Sequence, residues 1–280
     1  MAEPFISEQD FEKFREFFYR KTGIQFEHSK RYFVDKRLIE RIASTASGSF
    51  RNYFTMLRFE ASGEELQHLT NLMTVNETYF FREEYQFQCL VRSILPELVS
   101  RKSDRSPIRI WVIPSSSGEE PYSVALYLLE YWAGIQEWDV EIIASDIDTR
   151  ILANARAGLY SERSVQHVPE SVLRKYFTRS VKGYQICDAL RDAVEFTRVN
   201  LSERADTRPY RHFDVIFCRN LLIYFDDVSR KTAAETFYDA LKPGGHICLG
   251  HSESMSRISS LYKVRKFPDA IVYQRPLEAR

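Results

Sequence analysis

The sequence predicts an α/β protein: an all-helical amino-terminal part followed by a doubly wound, mostly parallel sheet with a small antiparallel insertion. Apolar residues recur at intervals of three and four as far as Leu72, the spacing of amphipathic helices. From Ile108 onward, short β-branched runs alternate with helical stretches, the pattern of βαβ units. Between the two lies the polar segment Arg101-Lys-Ser-Asp-Arg-Ser-Pro107, whose proline stops a helix and releases an extended run. The division expected is residues 1–87, helical with a linker, and residues 88–280, built on the sheet.

Helical character begins at Ser7, an N-cap ahead of Glu8 and Asp10, with Phe11, Phe14, Phe17 and Phe18 on one face. A second helix is expected from Lys30 to Ser44. Gly48 interrupts the pattern, Phe50 to Arg58 resumes it, and Gly63 opens a run through Leu66, Leu69 and Leu72. Helical character is expected as far as about Phe87.

The first strand is Ile108-Arg-Ile-Trp-Val-Ile113, apolar enough to be covered on both faces. A helix over Glu119 to Trp132 follows, then a strand Val140 to Asp146, a helix Thr149 to Ala157, a strand Val194 to Val199 and a strand Phe213 to Cys218. After a helix from about Ser229 to Leu241 come three strands, Gly245 to Gly250, Tyr262 to Phe267 and Ala270 to Gln274, the last two close enough for a hairpin. Residues 173–199 hold the expected antiparallel insertion, with Tyr176-Phe-Thr-Arg and Tyr184-Gln-Ile-Cys around Lys182-Gly183.

Apolar residues at 44% and charged residues at 28% describe a globular chain and exclude a disordered or fibrous one. Lys plus Arg and Asp plus Glu both number 39, so no whole-molecule field draws in nucleic acid or an anionic membrane. The cysteines, Cys89, Cys187, Cys218 and Cys248, show neither CxxC pairing nor histidines at zinc-ligand spacing, so neither disulfides nor a metal is expected. The start, MAEPFISEQD, is acidic where a signal peptide is basic, and no run of about 18 uncharged apolar residues occurs. A soluble, cytoplasmic protein is expected, with no membrane insertion.

Ligands of open α/β sheets bind at the carboxyl edge of the strands. Here the first strand turns into its helix through Pro114-Ser-Ser-Ser-Gly118-Glu-Glu-Pro-Tyr122, with a single glycine before the helix. That turn is poorly built for a pyrophosphate, which disfavours NAD and favours a cofactor without phosphates. The second strand ends on Asp146, placed to accept the hydroxyls of an adenosine ribose; an N-cap for the next helix is its competing role. Glu120, taken alone, reads as a first-turn acid facing the helix dipole.

Five strings occur in order along the chain: Asn71-Leu-Met-Thr-Val-Asn-Glu-Thr-Tyr-Phe-Phe-Arg82, Ser117-Gly-Glu-Glu-Pro-Tyr-Ser123, Ala144-Ser-Asp-Ile-Asp148, Cys218-Arg-Asn-Leu-Leu-Ile-Tyr-Phe225, and Leu241-Lys-Pro-Gly-Gly through Gly250-His-Ser-Glu253. Together they resemble the CheR-type chemotaxis receptor methyltransferases over nearly the whole chain. The resemblance implies a Rossmann-like methyltransferase sheet, S-adenosylmethionine as cofactor with S-adenosylhomocysteine as product, and a receptor glutamate as acceptor, giving a methyl ester. It places Asn76, Thr78, Glu120, Asp146, Asn200, Leu201, Arg219 and Asn220 on the cofactor and Arg82 beside both cofactor and acceptor. Tyr224 faces the reacting methyl. A surface arginine and a core aromatic are the competing readings of Arg82 and Tyr224. The Asn/Asp-Pro-Pro-aromatic turn of many amine methyltransferases is missing at Asn220-Leu-Leu-Ile, which disfavours DNA and amine acceptors.

The resemblance also implies that the helical domain meets the cytoplasmic domain of methyl-accepting receptors, with recruitment to receptor arrays. Lys30, Arg37 and Arg41 fall on one helical face and form the expected receptor-binding stripe, unless Asp35 and Glu40 make it an ordinary solvated face. Some members dock on a receptor C-terminal pentapeptide through the insertion. The short turn between Thr178 and Tyr184 makes such tethering doubtful here. A non-catalytic cofactor-binding adaptor and a small-molecule carboxyl methyltransferase are the competing functions.

Overall fold

A computed structural model describes residues 6–277. The first residues, read above for a targeting signal, lie partly outside that range. Helix α1 (Glu8–Thr22) is capped by Ser7, whose hydroxyl accepts from Asp10 N at 3.1 Å, and ends on Gly23 in the left-handed conformation. Helices α2 (Arg31–Ser44), α3 (Phe50–Phe59) and α4 (Glu64–Met73) follow. Their apolar faces meet in one core in which Phe11, Phe14, Phe18, Val34, Leu38, Tyr53 and Leu69 are inaccessible to solvent. Each such aliphatic or aromatic side chain contributes about 1.5–3 kcal/mol by leaving water.

Helical character does not run to Phe87 as expected. It stops at Met73, and residues 74–79 form an irregular linker before helix resumes at Tyr85. The β-branched Thr74, Val75 and Thr78 resist helix, and the side chains of Thr74 and Asn76 hydrogen-bond elsewhere. Phe80 and Phe81 pack with the sheet rather than with α1–α4.

The strands are β1 (Ile108–Val112), β2 (Val140–Asp146), β3 (Leu159–Tyr160), β4 (Phe177–Ser180), β5 (Gly183–Ile186), β6 (Val194–Arg198), β7 (Phe213–Cys218), β8 (Leu241–Leu249), β9 (Lys263–Lys266) and β10 (Ile271–Gln274). Seven of them form the main sheet in the order β6-β2-β1-β7-β8-β10-β9. The first five of that order run parallel, while β10 and β9 are antiparallel and form the expected hairpin. Alternate residues of β1 serve opposite faces: Ile108, Ile110 and Val112 enter one core, Trp111 the other.

Two details depart from the sequence reading. The insertion is three-stranded, order β3-β5-β4, because Leu159–Tyr160 joins it, whereas Val194–Arg198 pairs in parallel with β2 and edges the main sheet. Strand β8 begins at Leu241 rather than Gly245, with a register shift opposite Phe213 and Val215 that accommodates Lys242-Pro-Gly. The strand order reverses between β1 and β7, which leaves a crevice at their carboxyl ends.

Candidate active site

That crevice holds a cavity of about 480 Å³, floored by the turns after β1, β2, β6 and β7 and walled by residues 22–33 and 73–78 of the helical part. Asn76, Thr78, Arg82, Glu120, Asp146, Asn200, Leu201, Arg219, Asn220 and Tyr224 all line it, residues the sequence had singled out from points far apart in the chain. The volume suits a ligand of nucleoside size.

Asp146 ends β2 and is nearly inaccessible. Its Oδ2 accepts from Ser116 N at 2.8 Å and its Oδ1 from Asp148 N at 3.0 Å. Burial outweighs these hydrogen bonds and raises its pKa to about 6. It does not cap the following helix. That role belongs to Asp148, whose Oδ1 accepts from Ile151 N at 2.9 Å.

Glu120 stands in the first turn of helix Glu119–Tyr131, directly after Gly118, whose φ of 94° suits only glycine. Its carboxylate faces Arg219 Nη1 at 3.2 Å, and the same guanidinium reaches Glu83 Oε2 at 3.3 Å. Burial pushes Glu120 upward although Arg219 opposes the shift. Beneath the cavity, Arg219 Nε and the hydroxyls of Ser115 and Ser116 make no hydrogen bond with any described residue, while Glu120 Oε1 and Arg219 Nη1 have each other as an ion pair.

Asn220 has φ of 56°, and its N–H donates to Glu253 Oε2 at 2.9 Å. Glu253 also accepts from Leu222 N and Gly250 N at 2.7 and 2.9 Å, so one carboxylate shapes the turn that carries Asn220 and Tyr224. Tyr224 is 38% exposed, and no described residue pairs its hydroxyl, which rules out the core-aromatic reading. Burial raises its pKa, with Arg82 opposing. Arg82 is half-buried, its Nη1 donating to Glu77 O at 2.9 Å. Asn200 is committed at both ends of its amide, donating to Lys21 O at 2.6 Å and accepting from Ser202 N at 3.0 Å, which ties the floor to α1.

The basic stripe is not a free surface. Arg41 makes a two-pronged pair with Glu65, at 2.8 and 2.6 Å, and Tyr53 completes it with a 2.7 Å hydrogen bond. Arg37 lies over the Phe33 ring at 3.3 Å and donates to Leu72 O, so both arginines fasten α2 to α4. Lys30 alone of the three lines the cavity, with no partner among the described residues. Sequence reasoning gave no role to Asp148 or Glu253, although both sit inside strings it quoted.

A carboxylate at the end of β2 and a single-glycine turn after β1, both at one cavity, define an α/β enzyme for a nucleoside cofactor without pyrophosphate, the class of S-adenosylmethionine-dependent methyltransferases. Comparison with known proteins makes the assignment specific. Residues 76–271 match the family described as CheR methyltransferase, SAM binding domain, and residues 9–74 match CheR methyltransferase, all-alpha domain. The chain is 56% identical over 277 residues to chemotaxis protein methyltransferase 2 of Vibrio cholerae, covering 99% of this chain and 96% of that protein. It is 38% identical over 260 residues to chemotaxis protein methyltransferase 2 of Pseudomonas aeruginosa, covering 91% and 90%. With the Escherichia coli chemotaxis protein methyltransferase it shares 32% identity over 264 residues, covering 93% and 89%. The chain belongs to the CheR methyltransferase family.

Proposed function

We propose that this enzyme transfers methyl groups from S-adenosylmethionine to glutamate side chains of methyl-accepting chemotaxis receptors, with Arg82 and Tyr224 orienting the acceptor carboxylate. The observation that carries the site assignment is the convergence of Glu120 and Asp146, from the carboxyl side of two neighbouring strands, on one cavity, where Glu120, backed by Arg219, fits the ammonium of the cofactor's amino-acid end. Asp146 would hold the ribose, Leu201 and Asn200 the adenine side, and Asn76, Thr78 and Asn220 the remaining wall.

When bound, the cofactor supplies an electrophilic sulfonium methyl group. A glutamate of ordinary pKa, about 4.3, is ionised at neutral pH and attacks without a general base. No histidine among the described residues lines the cavity, in keeping with that economy. What the chain contributes is alignment and exclusion of water, and positioning alone is worth about 7–11 kcal/mol. The Arg82 guanidinium offers a planar fork for a carboxylate, and the free Tyr224 hydroxyl a single donor beside it.

The helical part would present the receptor to this mouth, with Lys30 attracting the acidic methylation segment. The turn between β4 and β5 spans only Val181 and Lys182, which favours recognition without a pentapeptide tether. The same reading puts the enzyme in the cytoplasm at receptor arrays. No observation favours an adaptor or a small-molecule methyltransferase.

Steady-state kinetics with a purified receptor domain test the roles. Arg82→Ala is expected to lower kcat by about a hundredfold, the cost of misplaced reactants, with Tyr224→Phe following in the same direction, while both variants still bind S-adenosylhomocysteine. Turnover unchanged in both would remove the assignment.

A further inference from the structure

Asp148 has no solvent exposure and stands two residues beyond Asp146. One of its carboxylate oxygens, Oδ1, caps helix Thr149–Ala157. The other is not needed for capping. Oδ2 accepts from Thr74 Oγ1 at 2.7 Å and from Asn76 Nδ2 at 3.0 Å, both from the linker between the helical part and the sheet. Asn76 Nδ2 also donates to Thr74 Oγ1 at 3.2 Å, which closes a triangle of three side chains.

We propose that Asp148 is a positioning residue that fixes which end of the Asn76 amide meets the cofactor, so that Asn76 acts there as an acceptor. The inference rests on the assignment of Asn76 to the cofactor side of the cavity. A carboxylate has no hydrogen to donate, so the amide nitrogen must face it. Both N–H groups of Asn76 are then used, one by Asp148 and one by Thr74. The end left over is Oδ1, which no described residue engages, in a side chain that lines the cavity. An acceptor at that point suits an ammonium, a ribose hydroxyl or an adenine amino group, and repels a carboxylate. Were Asp148 unable to accept, the amide would be free to turn and present its nitrogen instead.

The frame around this triangle is rigid. Asn71 of α4 pairs with Thr149 twice, Nδ2 donating to Oγ1 at 2.9 Å and Oδ1 accepting from the backbone N–H at 3.0 Å, and Gln67 donates to Ile147 O at 2.8 Å. The linker is thus held against the same turn that carries Asp146. A residue serving only as an N-cap would have no reason to direct its second oxygen at the linker.

Asp148→Asn separates the two roles. Asparagine caps a helix as well as aspartate does, yet it places an amide N–H₂ where Asn76 needs an acceptor. Asp148→Ser is the second variant, since serine also caps but is too short to reach Asn76. Calorimetric titration with S-adenosylhomocysteine, alongside thermal melting, reads the outcome. Both variants are expected to bind about tenfold more weakly with melting points near wild type, as is Asn76→Ala. Asp148→Asn combined with Asn76→Ala is expected to bind within about twofold of the weaker single variant, because both act through one contact. Affinity within about twofold of wild type in both Asp148 variants, while Asn76→Ala loses binding, would overturn the proposal and leave Asn76 at the cofactor. So would losses that multiply in the double variant. Unchanged affinity in Asn76→Ala would instead remove Asn76 from the cofactor site, and the inference with it.

Discussion

Arg219 and Glu120 face each other at 3.2 Å across the floor of the cavity, an ion pair in which neither Nη1 nor Oε1 is in hydrogen-bonding geometry with any described residue. Glu83 is the second acid on the same guanidinium. Glu120 lines the cavity and offers an acidic acceptor there, which suits a ligand carrying an ammonium group. Glu120→Gln removes that charge while keeping the shape, and is expected to weaken S-adenosylhomocysteine binding about tenfold by calorimetry. Arg219→Ala strands buried acids and is expected to cost about 3–5 kcal/mol of stability in urea denaturation.

Asp146 gives the site a pH dependence. Its folded pKa of about 6 lies above the ordinary 3.8, so ionisation is disfavoured in the ligand-free protein. Asp146 alone therefore makes the free enzyme less stable as pH climbs from about 4 to about 6. Ribose hydroxyls donating to the carboxylate reverse the preference. Affinity for S-adenosylhomocysteine is expected to rise between about pH 5 and pH 7 and then level, with a proton released on binding near pH 6. Calorimetry in buffers of different ionisation enthalpy measures that proton, and Asp146→Asn should abolish it.

Arg41 belongs to the helical core rather than to a docking face. Removing it leaves the Glu65 carboxylate without its cation in a nearly buried setting, with only the Tyr53 hydroxyl still donating to it. Arg41→Ala is expected to lose about 2–4 kcal/mol in urea denaturation, with KM for the cofactor unchanged. A selective rise in receptor KM at full stability would restore the docking role.

Gly250 passes so close to the turn carrying Asn220 and Tyr224 that a Cβ there would stand 2.8 Å from Asn220 Nδ2 and 2.9 Å from Glu253 Oε2. Gly250→Ala must displace the turn that Glu253 organises. A fall in kcat of about tenfold or more with a melting temperature near wild type is expected, because Tyr224 rides on that turn.

Asp146 was legible because βαβ alternation locates strand ends, and strand ends locate ligands; the other residues of the cavity were placed by the family resemblance, since Asn76 and Thr78 stand at no strand end. Strands β2 and β7 fall at the expected residues for the same reason: each is a bounded apolar run. The basic stripe was misleading for an equally physical reason. Helical spacing places Lys30, Arg37 and Arg41 on one face but says nothing about what covers it, and the covering acid, Glu65, lies 24 residues beyond Arg41. The linker after Met73 was hidden by apolar residues on either side, and two of its side chains, Thr74 and Asn76, bond to Asp148, a partner more than 70 residues away. Strand β3, two residues long, carries no periodicity at all.

The central claim is best tested by transfer of radiolabelled methyl from S-adenosylmethionine to a purified receptor cytoplasmic domain, followed by mild base. The account predicts label on the receptor that base releases as methanol, as a glutamyl ester requires, and its loss when the methylatable glutamates become alanine. Measurable cofactor binding with no label on any receptor, or label that resists base, would contradict it.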